Sequence, residues 1–271
     1  MPYWPLIAIK TLLPLPKEET IFNYDSYDIG YTPETDSTYS SFWMKLDESS
    51  DINHPRNILR RIISLLSYNE FEAIEIAGES GNKSQYKMNI GKSIYKGYSH
   101  LRFSDYKFST LQINLNSIQA TAIAIFRNAL INNSPPLKFV EYSRILMLQL
   151  PRNSQGTPFM QYINNVIEQV LNGELTPFKG WAHYQIKEHA KIHENIGRYL
   201  WESCRSAAAH TSLDGDFANP DDVADNGRYW HALAIMEWLA CYYIENTLNL
   251  QRNPQWQKIE LPLEYYESPI A

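Results

Sequence analysis

Glu188-His189-Ala190-Lys191-Ile192-His193-Glu194-Asn195-Ile196-Gly197-Arg198-Tyr199-Leu200-Trp201-Glu202-Ser203-Cys204-Arg205-Ser206-Ala207-Ala208-Ala209-His210 carries Ile192, Ile196, Tyr199, Leu200, Cys204 and Ala207 at helical spacing. That rhythm lines one face of an α-helix and predicts a core helix over the whole run. The polar stretch Thr211 to Pro220 ends it. Beyond lies a second long pattern, Asp222 to Leu248, whose Leu233, Met236, Leu239, Ala240, Tyr243 and Ile244 are expected to be buried. Working back from Glu188, three further helical patterns precede it. The first runs to Ile131 from a cap at Asn116 or Ser117. The second spans Leu137 to Leu150, after Asn132-Asn133-Ser134-Pro135-Pro136. The third spans Pro158 to Leu171 and stops at Asn172-Gly173. Five helices with short breaks describe a bundle.

Before residue 112 the period is that of strands. Trp4 to Leu13, Ile21 to Tyr31, Tyr39 to Leu46, Ala73 to Ala77 and Tyr86 to Ile90 read as strands, the last two joined through Gly78 and Gly81. Leu101 to Phe108 and Leu111-Gln112-Ile113 read as final strands. One helix, Asn57 to Tyr68, interrupts them, with Ile58, Ile62, Leu65 and Leu66 on one face and Pro55 near its start. The expected class is α+β: a strand-rich domain over residues 1–112, then an all-helical domain over 113–271.

With 271 residues and 44% hydrophobic content the chain can build sizeable cores. Its net charge of -6 argues against a protein that coats nucleic acid or an anionic membrane, while leaving room for a local basic site. Two cysteines, Cys204 and Cys241, sit among helix-patterned residues and read as buried thiols, which suits a cytoplasmic home. The proline-interrupted N-terminus is unlike a signal peptide, and no apolar run reaches the roughly 18 residues of a membrane span. No C-x-x-C pair or glycine-rich phosphate loop points to a metal or cofactor. Gly78 to Ser84 reads as a turn.

The residues that carry chemistry are Arg205, Ser206 and His210, at the end of the fourth bundle helix. An Arg, four residues and a His at a helix end resembles the HEPN superfamily (higher eukaryotes and prokaryotes nucleotide-binding domains), whose signature is Arg, four to six residues, His. Phe126-Arg127-Asn128-Ala129-Leu130, Asn133-Ser134-Pro135-Pro136 and Phe139-Val140-Glu141-Tyr142-Ser143-Arg144-Ile145-Leu146 are similar to the helix–break–helix that opens the HEPN part of methylamine-utilisation MauJ-like proteins. So is Asn219-Pro220-Asp221-Asp222 followed by Arg228. The resemblance covers residues from about 116 to 249 and implies a HEPN-like bundle.

It also implies metal-independent endoribonuclease chemistry, in which the ribose 2′-hydroxyl attacks the adjacent phosphate. His210 would transfer the proton, and Arg205 would hold the phosphate and stabilise the developing charge. Two subunits would pool their motifs in a homodimer, in a defence or toxin-like setting. Ser206 stands where the family commonly has Asn and would be a shorter-reaching orienter of the His. The alternative is a non-catalytic HEPN module that binds a protein partner or a nucleotide. On a straight α-helix, side chains five apart point about 140° apart, so Arg205 and His210 converge only if the helix ends or bends.

Other clusters have plainer readings. Asp214, Asp216, Asp221, Asp222 and Asp225 lack calcium-loop spacing and suit caps and turns, with Asp225–Arg228 a local pair. His183, His189 and His193 lie close in sequence, but no Cys or Glu-rich helix completes a metal site. Tyr199, Trp201, Tyr229 and Trp230 read as core or dimer contacts rather than base platforms.

Overall fold

The computed structural model describes residues 4–13, 15–35, 38–46, 53–80, 106–111, 114–150, 156–178, 180–209 and 223–255. The chain is α+β and divides into two compact units, Met1–Ile131 with Arg252–Trp256, and Asn132–Gln251 with Gln257–Ala271.

The first unit holds an antiparallel sheet of β1 (Leu6–Thr11), β2 (Thr20–Tyr24), β3 (Tyr27–Thr32), β4 (Ser40–Met44) and β5 (Ile74–Ser80), in the order β2-β3-β4-β1-β5. Leu6 to Ile9 of the inner strand β1 are all buried, so both faces of the sheet are covered there. Leu6 and Ala8 pack with Trp43, Trp4, Tyr39 and Ala77. On the alternate face, Ile7 pairs with Phe42, which meets Tyr31 and Phe108 at ring separations of 5.3 Å. Gly30 is required by this packing: a Cβ there would lie 2.1 Å from the Trp43 ring that crosses it.

The expected single strand from Ile21 to Tyr31 is instead the hairpin β2–β3. It turns at Asp25 and Ser26, whose φ angles are 51° and 67°. Two consecutive left-handed residues fit the right-handed twist of a tight hairpin, and here they are formed without the glycine that signals such turns in a sequence. Gly78 to Ser80, read as a turn, belong to β5, and Phe108, read as the end of a strand, opens the 3-10 turn Phe108–Thr110. The expected strand Tyr86 to Ile90 lies outside the described residues, as do residues 101–105, 112 and 113.

Helix α1 (Asn53–Glu70) extends the Asn57 to Tyr68 prediction at both ends and packs against β1, β4 and β5. Pro55 is tolerated because its missing N–H falls in the first turn. Helix α2 (Ser117–Ile131) packs against α1 and β5. Asn116 caps it: its Oδ1 accepts from Gln119 N at 2.9 Å, and Gln119 Oε1 accepts from Asn116 N at 3.0 Å. The tail returns to this unit. Gln255 N donates to Glu70 Oε1 at 2.9 Å, and Asn253 N donates to Asn69 Oδ1 at 3.2 Å.

The second unit is helical. Its helices are α3 (Pro135–Leu146), α4 (Gly156–Leu171), α5 (Gly180–Ile192), α6 (Ile196–Tyr199), α7 (Ala207–Ala209) and α8 (Val223–Tyr242). A π-helical turn, Leu200–Ser206, joins α6 to α7, and another, Tyr243–Thr247, extends α8. Helix α8 is the centre: α3 and α5 both pack on it, and the six side chains expected to be buried are buried. Helix α4 ends as Asn172-Gly173 requires. Gly173, at φ 75°, donates to Val170 O at 3.1 Å, and Glu174 N donates to Gln169 O at 2.9 Å.

The single helix expected over Glu188 to His210 is divided. Helix α5 begins earlier, at Gly180, and stops at Ile192; the chain restarts at Ile196. Asn195 makes the break by capping α6, its Oδ1 accepting from Arg198 N at 2.7 Å and from Asn164 Nδ2 at 2.9 Å. Asn164 Oδ1 in turn accepts from Gly197 N at 2.8 Å. A Cβ on Gly197 would stand 2.5 Å from the Met160 carbonyl, so glycine lets α6 approach α4 this closely. Among the described residues no helix is long and apolar enough to cross a membrane.

Candidate functional site

Arg205 and Ser206 close the π-helical turn Leu200–Ser206, and both are partly buried. Single π turns inside α-helices recur at functional sites because they rotate the following side chains off the α-helical stripe. The turn is held from several sides. Leu200 and Cys204 face the core, fully buried. The Tyr229 hydroxyl on α8 donates to the Cys204 carbonyl at 2.8 Å, and the Tyr199 and Cys204 side chains hydrogen-bond each other. Tyr199 and Cys204 are five apart, the interval that π winding brings together. Burial pushes the Cys204 thiol up to about 12, against the opposing pull of that hydrogen bond and of the Arg228 charge. The thiol is therefore protonated and a poor nucleophile. Both cysteines are buried and free of disulfides.

On the outer side of the turn, the Arg205 guanidinium carbon lies 4.7 Å from the centroid of Trp201. That spacing, four residues, seats a cation on an aromatic face of the same helix. Trp201 is itself anchored. Its ring meets Phe159 at 5.1 Å, and a Cβ on Gly156 would touch it at 3.0 Å, so the glycine at the start of α4 makes room for the indole. Burial lowers the proton affinity of Arg205, which nonetheless stays charged as arginines do.

Arg228 on α8 adds a second cation to the region. Its guanidinium lies 5.3 Å from the Tyr229 ring, and its charge acts on Tyr199 and Cys204. Sequence reading placed Arg228 in the family resemblance and in a local pair with Asp225, whose side chain lies outside the description, and gave it no role in the site. The Trp201–Arg205 interval was visible in the sequence and is the signal that could have marked the indole as part of the site. His210 and the aspartates from Asp214 to Asp222 lie outside the described residues.

Behind the turn is a layer of stacked rings. His193 stacks on Tyr199 at 4.0 Å with planes 15° apart, and His189 lies 5.1 Å from Tyr199 and 5.5 Å from His193. The histidines on this face therefore contact one another ring to ring. Among the described residues no group of three or more His, Cys, Asp or Glu is arranged to hold a metal ion. His189 is buried, and its Nδ1 has no hydrogen-bond partner. Burial, reinforced by His193 and His231 and opposed by Glu188, lowers its pKa to about 4, so its ring is neutral near pH 7. Of the four aromatic residues singled out by sequence, Tyr229 is core, Tyr199 joins the ring layer, Trp201 carries Arg205, and Trp230 is 58% exposed.

No curated protein and no solved structure matches the chain. Residues 122–245, which run from within α2 to the turn that extends α8 and include Arg205, Ser206 and His210, match the family model described as Methylamine utilization protein MauJ, and over that span the chain is similar to this family.

Proposed function

We propose that the helical unit is a HEPN-type module that binds RNA and cleaves it without a metal ion, by attack of a ribose 2′-hydroxyl on the adjacent phosphate. The observation that carries this reading is the seating of Arg205 on Trp201, 4.7 Å from the ring centroid, five residues before His210. An aromatic face holds the plane of a guanidinium in place, and in this reading a phosphate would approach its N–H edge. In this reading Arg205 binds the phosphate and stabilises the charge that forms on it. Arg228 strengthens the local positive field, His210 moves the proton, and Ser206 helps orient His210. A homodimer would bring two such motifs to one cleft. A defence or toxin-like role accords with this chemistry.

The test is incubation of the full chain with mixed single-stranded RNA in excess chelator, beside Arg205→Ala and His210→Ala. Cleavage that persists with chelator and is lost in both variants supports the enzyme. Equal cleavage by all three proteins, or none, removes it. A second reading, a non-catalytic HEPN module that binds a nucleotide or a protein partner, is favoured by Ser206 in place of Asn and by the net charge of -6. RNA or nucleotide binding that depends on Arg205, with no cleavage, would select it.

A further inference from the structure

Arg127 on α2 is only 9% exposed, and its Nε and Nη1 are buried without a hydrogen-bond partner. Two charged side chains of the same unit act on it, Arg60 from α1 and Glu79 from β5. Glu79 is already engaged: its Oε1 accepts from Arg60 Nε at 2.7 Å and lies 2.5 Å from Arg60 Nη2. Among the described residues, two guanidinium groups thus face one carboxylate. A buried lysine in this position could shed its proton. A guanidinium cannot, so its charge must be met by an anion or borne unmet in a poorly solvating site. Buried polar groups are nearly always satisfied, and an exception on a permanent cation calls for a counter-charge.

We propose that Arg127, with Arg60 beside it, forms a binding site for a compact oxyanion, the phosphate or carboxylate group of a small ligand. Arg127 supplies the buried donors and Arg60 the outer ones, while Glu79 orients Arg60 and sets the local charge so that one anionic group neutralises the cluster. The site belongs to the sheet-bearing unit and is independent of the ribonuclease reading.

The experiment titrates the full chain, in an Arg205→Ala background so that phosphate at that arginine does not contribute, with inorganic phosphate and separately with acetate. Chloride at equal ionic strength is the control, and the readouts are thermal midpoint and calorimetric heat. A saturable response to phosphate, to acetate or to both, exceeding that to chloride, is expected, and the stronger of the two identifies the group. Arg60→Gln should weaken binding about tenfold, the scale of one hydrogen-bonded charge. Arg127→Met should abolish the response, yet leave the anion-free midpoint equal to or above that of the parent, because a buried unmatched charge has been replaced by an apolar chain. No saturable response to either oxyanion, an undiminished response in Arg127→Met, or a fall in its anion-free midpoint would overturn the proposal.

Discussion

Two arginines are withdrawn from water in this chain, and their surroundings differ. Arg205 lies over the Trp201 ring on a π-helical turn, partly exposed, with an aromatic quadrupole facing its charge. Arg127 lies deeper, with two buried nitrogens that meet no acceptor and a carboxylate already taken by Arg60. Trp201 supports the charge of Arg205 through its ring face, a contact that does not depend on a bound ligand. Arg127 has only a share of the Glu79 charge to oppose its burial, and the proposed oxyanion would complete that compensation. The same side chain is therefore preorganised in one unit and frustrated in the other, and the two settings should respond oppositely to the same change.

The largest effect is expected on chemistry. If the proposed ribonuclease reading holds, removing Arg205 or His210 should reduce metal-independent RNA cleavage by about 10²–10³-fold, the scale of one donor to a developing oxyanion. Single-turnover rates at saturating protein will show whether the loss is in the chemical step. If Arg205→Ala weakens RNA binding and leaves that rate unchanged, the arginine positions RNA and does not stabilise the transition state.

Next comes the matched pair Arg127→Met and Arg205→Met, compared by urea unfolding without added oxyanion. The first should raise stability by about 1–4 kcal/mol, as replacement of unfavourable buried charge does. The second should lower it by about 0.5–2 kcal/mol, the range of a partly desolvated cation–π contact. Equal signs would erase the contrast between the two sites. Trp201→Leu should reproduce most of the Arg205→Met loss in stability. If Arg205 works from its seat on the indole, this variant should also lower cleavage while leaving Arg205 in place.

The smallest effect concerns the ring layer behind the π turn. His189 has a folded pKa of about 4 against 6.5 when unfolded, so over this window the unfolded chain binds the additional proton. Its contribution is complete above pH 6.5 and is lost as pH falls toward 4. His189→Phe should flatten that part of the stability curve, as read from urea midpoints at pH 7 and pH 5. An unchanged slope would mean that other groups set the acid sensitivity.

Much of the architecture could be read from sequence because periodicity and caps are local. The helical pattern from Ser117 onward, the Gly173 stop and the buried face of α8 all follow from residues within a few positions of each other. The hairpin within Ile21 to Tyr31 was missed because Asp25 and Ser26 adopt left-handed angles without a glycine. The break before α6 was missed because Asn195 is held by Asn164, on another helix. In the site, Arg205 and Ser206 were chosen by spacing, and the Trp201 seat could have been. The action of Arg228 on this turn and the hold of the Tyr229 hydroxyl on the Cys204 carbonyl depend on neighbours far along the chain, and the Tyr199–Cys204 contact depends on the π winding.

The amino-acid order by itself determined the class, most of the helices and strands and the Arg205–His210 interval, since each is set by side chains a turn or a pleat apart. Tertiary structure alone decided that α2 packs with the sheet, that the helix widens into a π turn at Arg205, and that Arg205 lies over an aromatic ring while Arg127 has two buried nitrogens without an acceptor. The reason is electrostatic and steric: whether a buried charge is satisfied depends on what packing brings within a few ångströms, and sequence distance does not measure that.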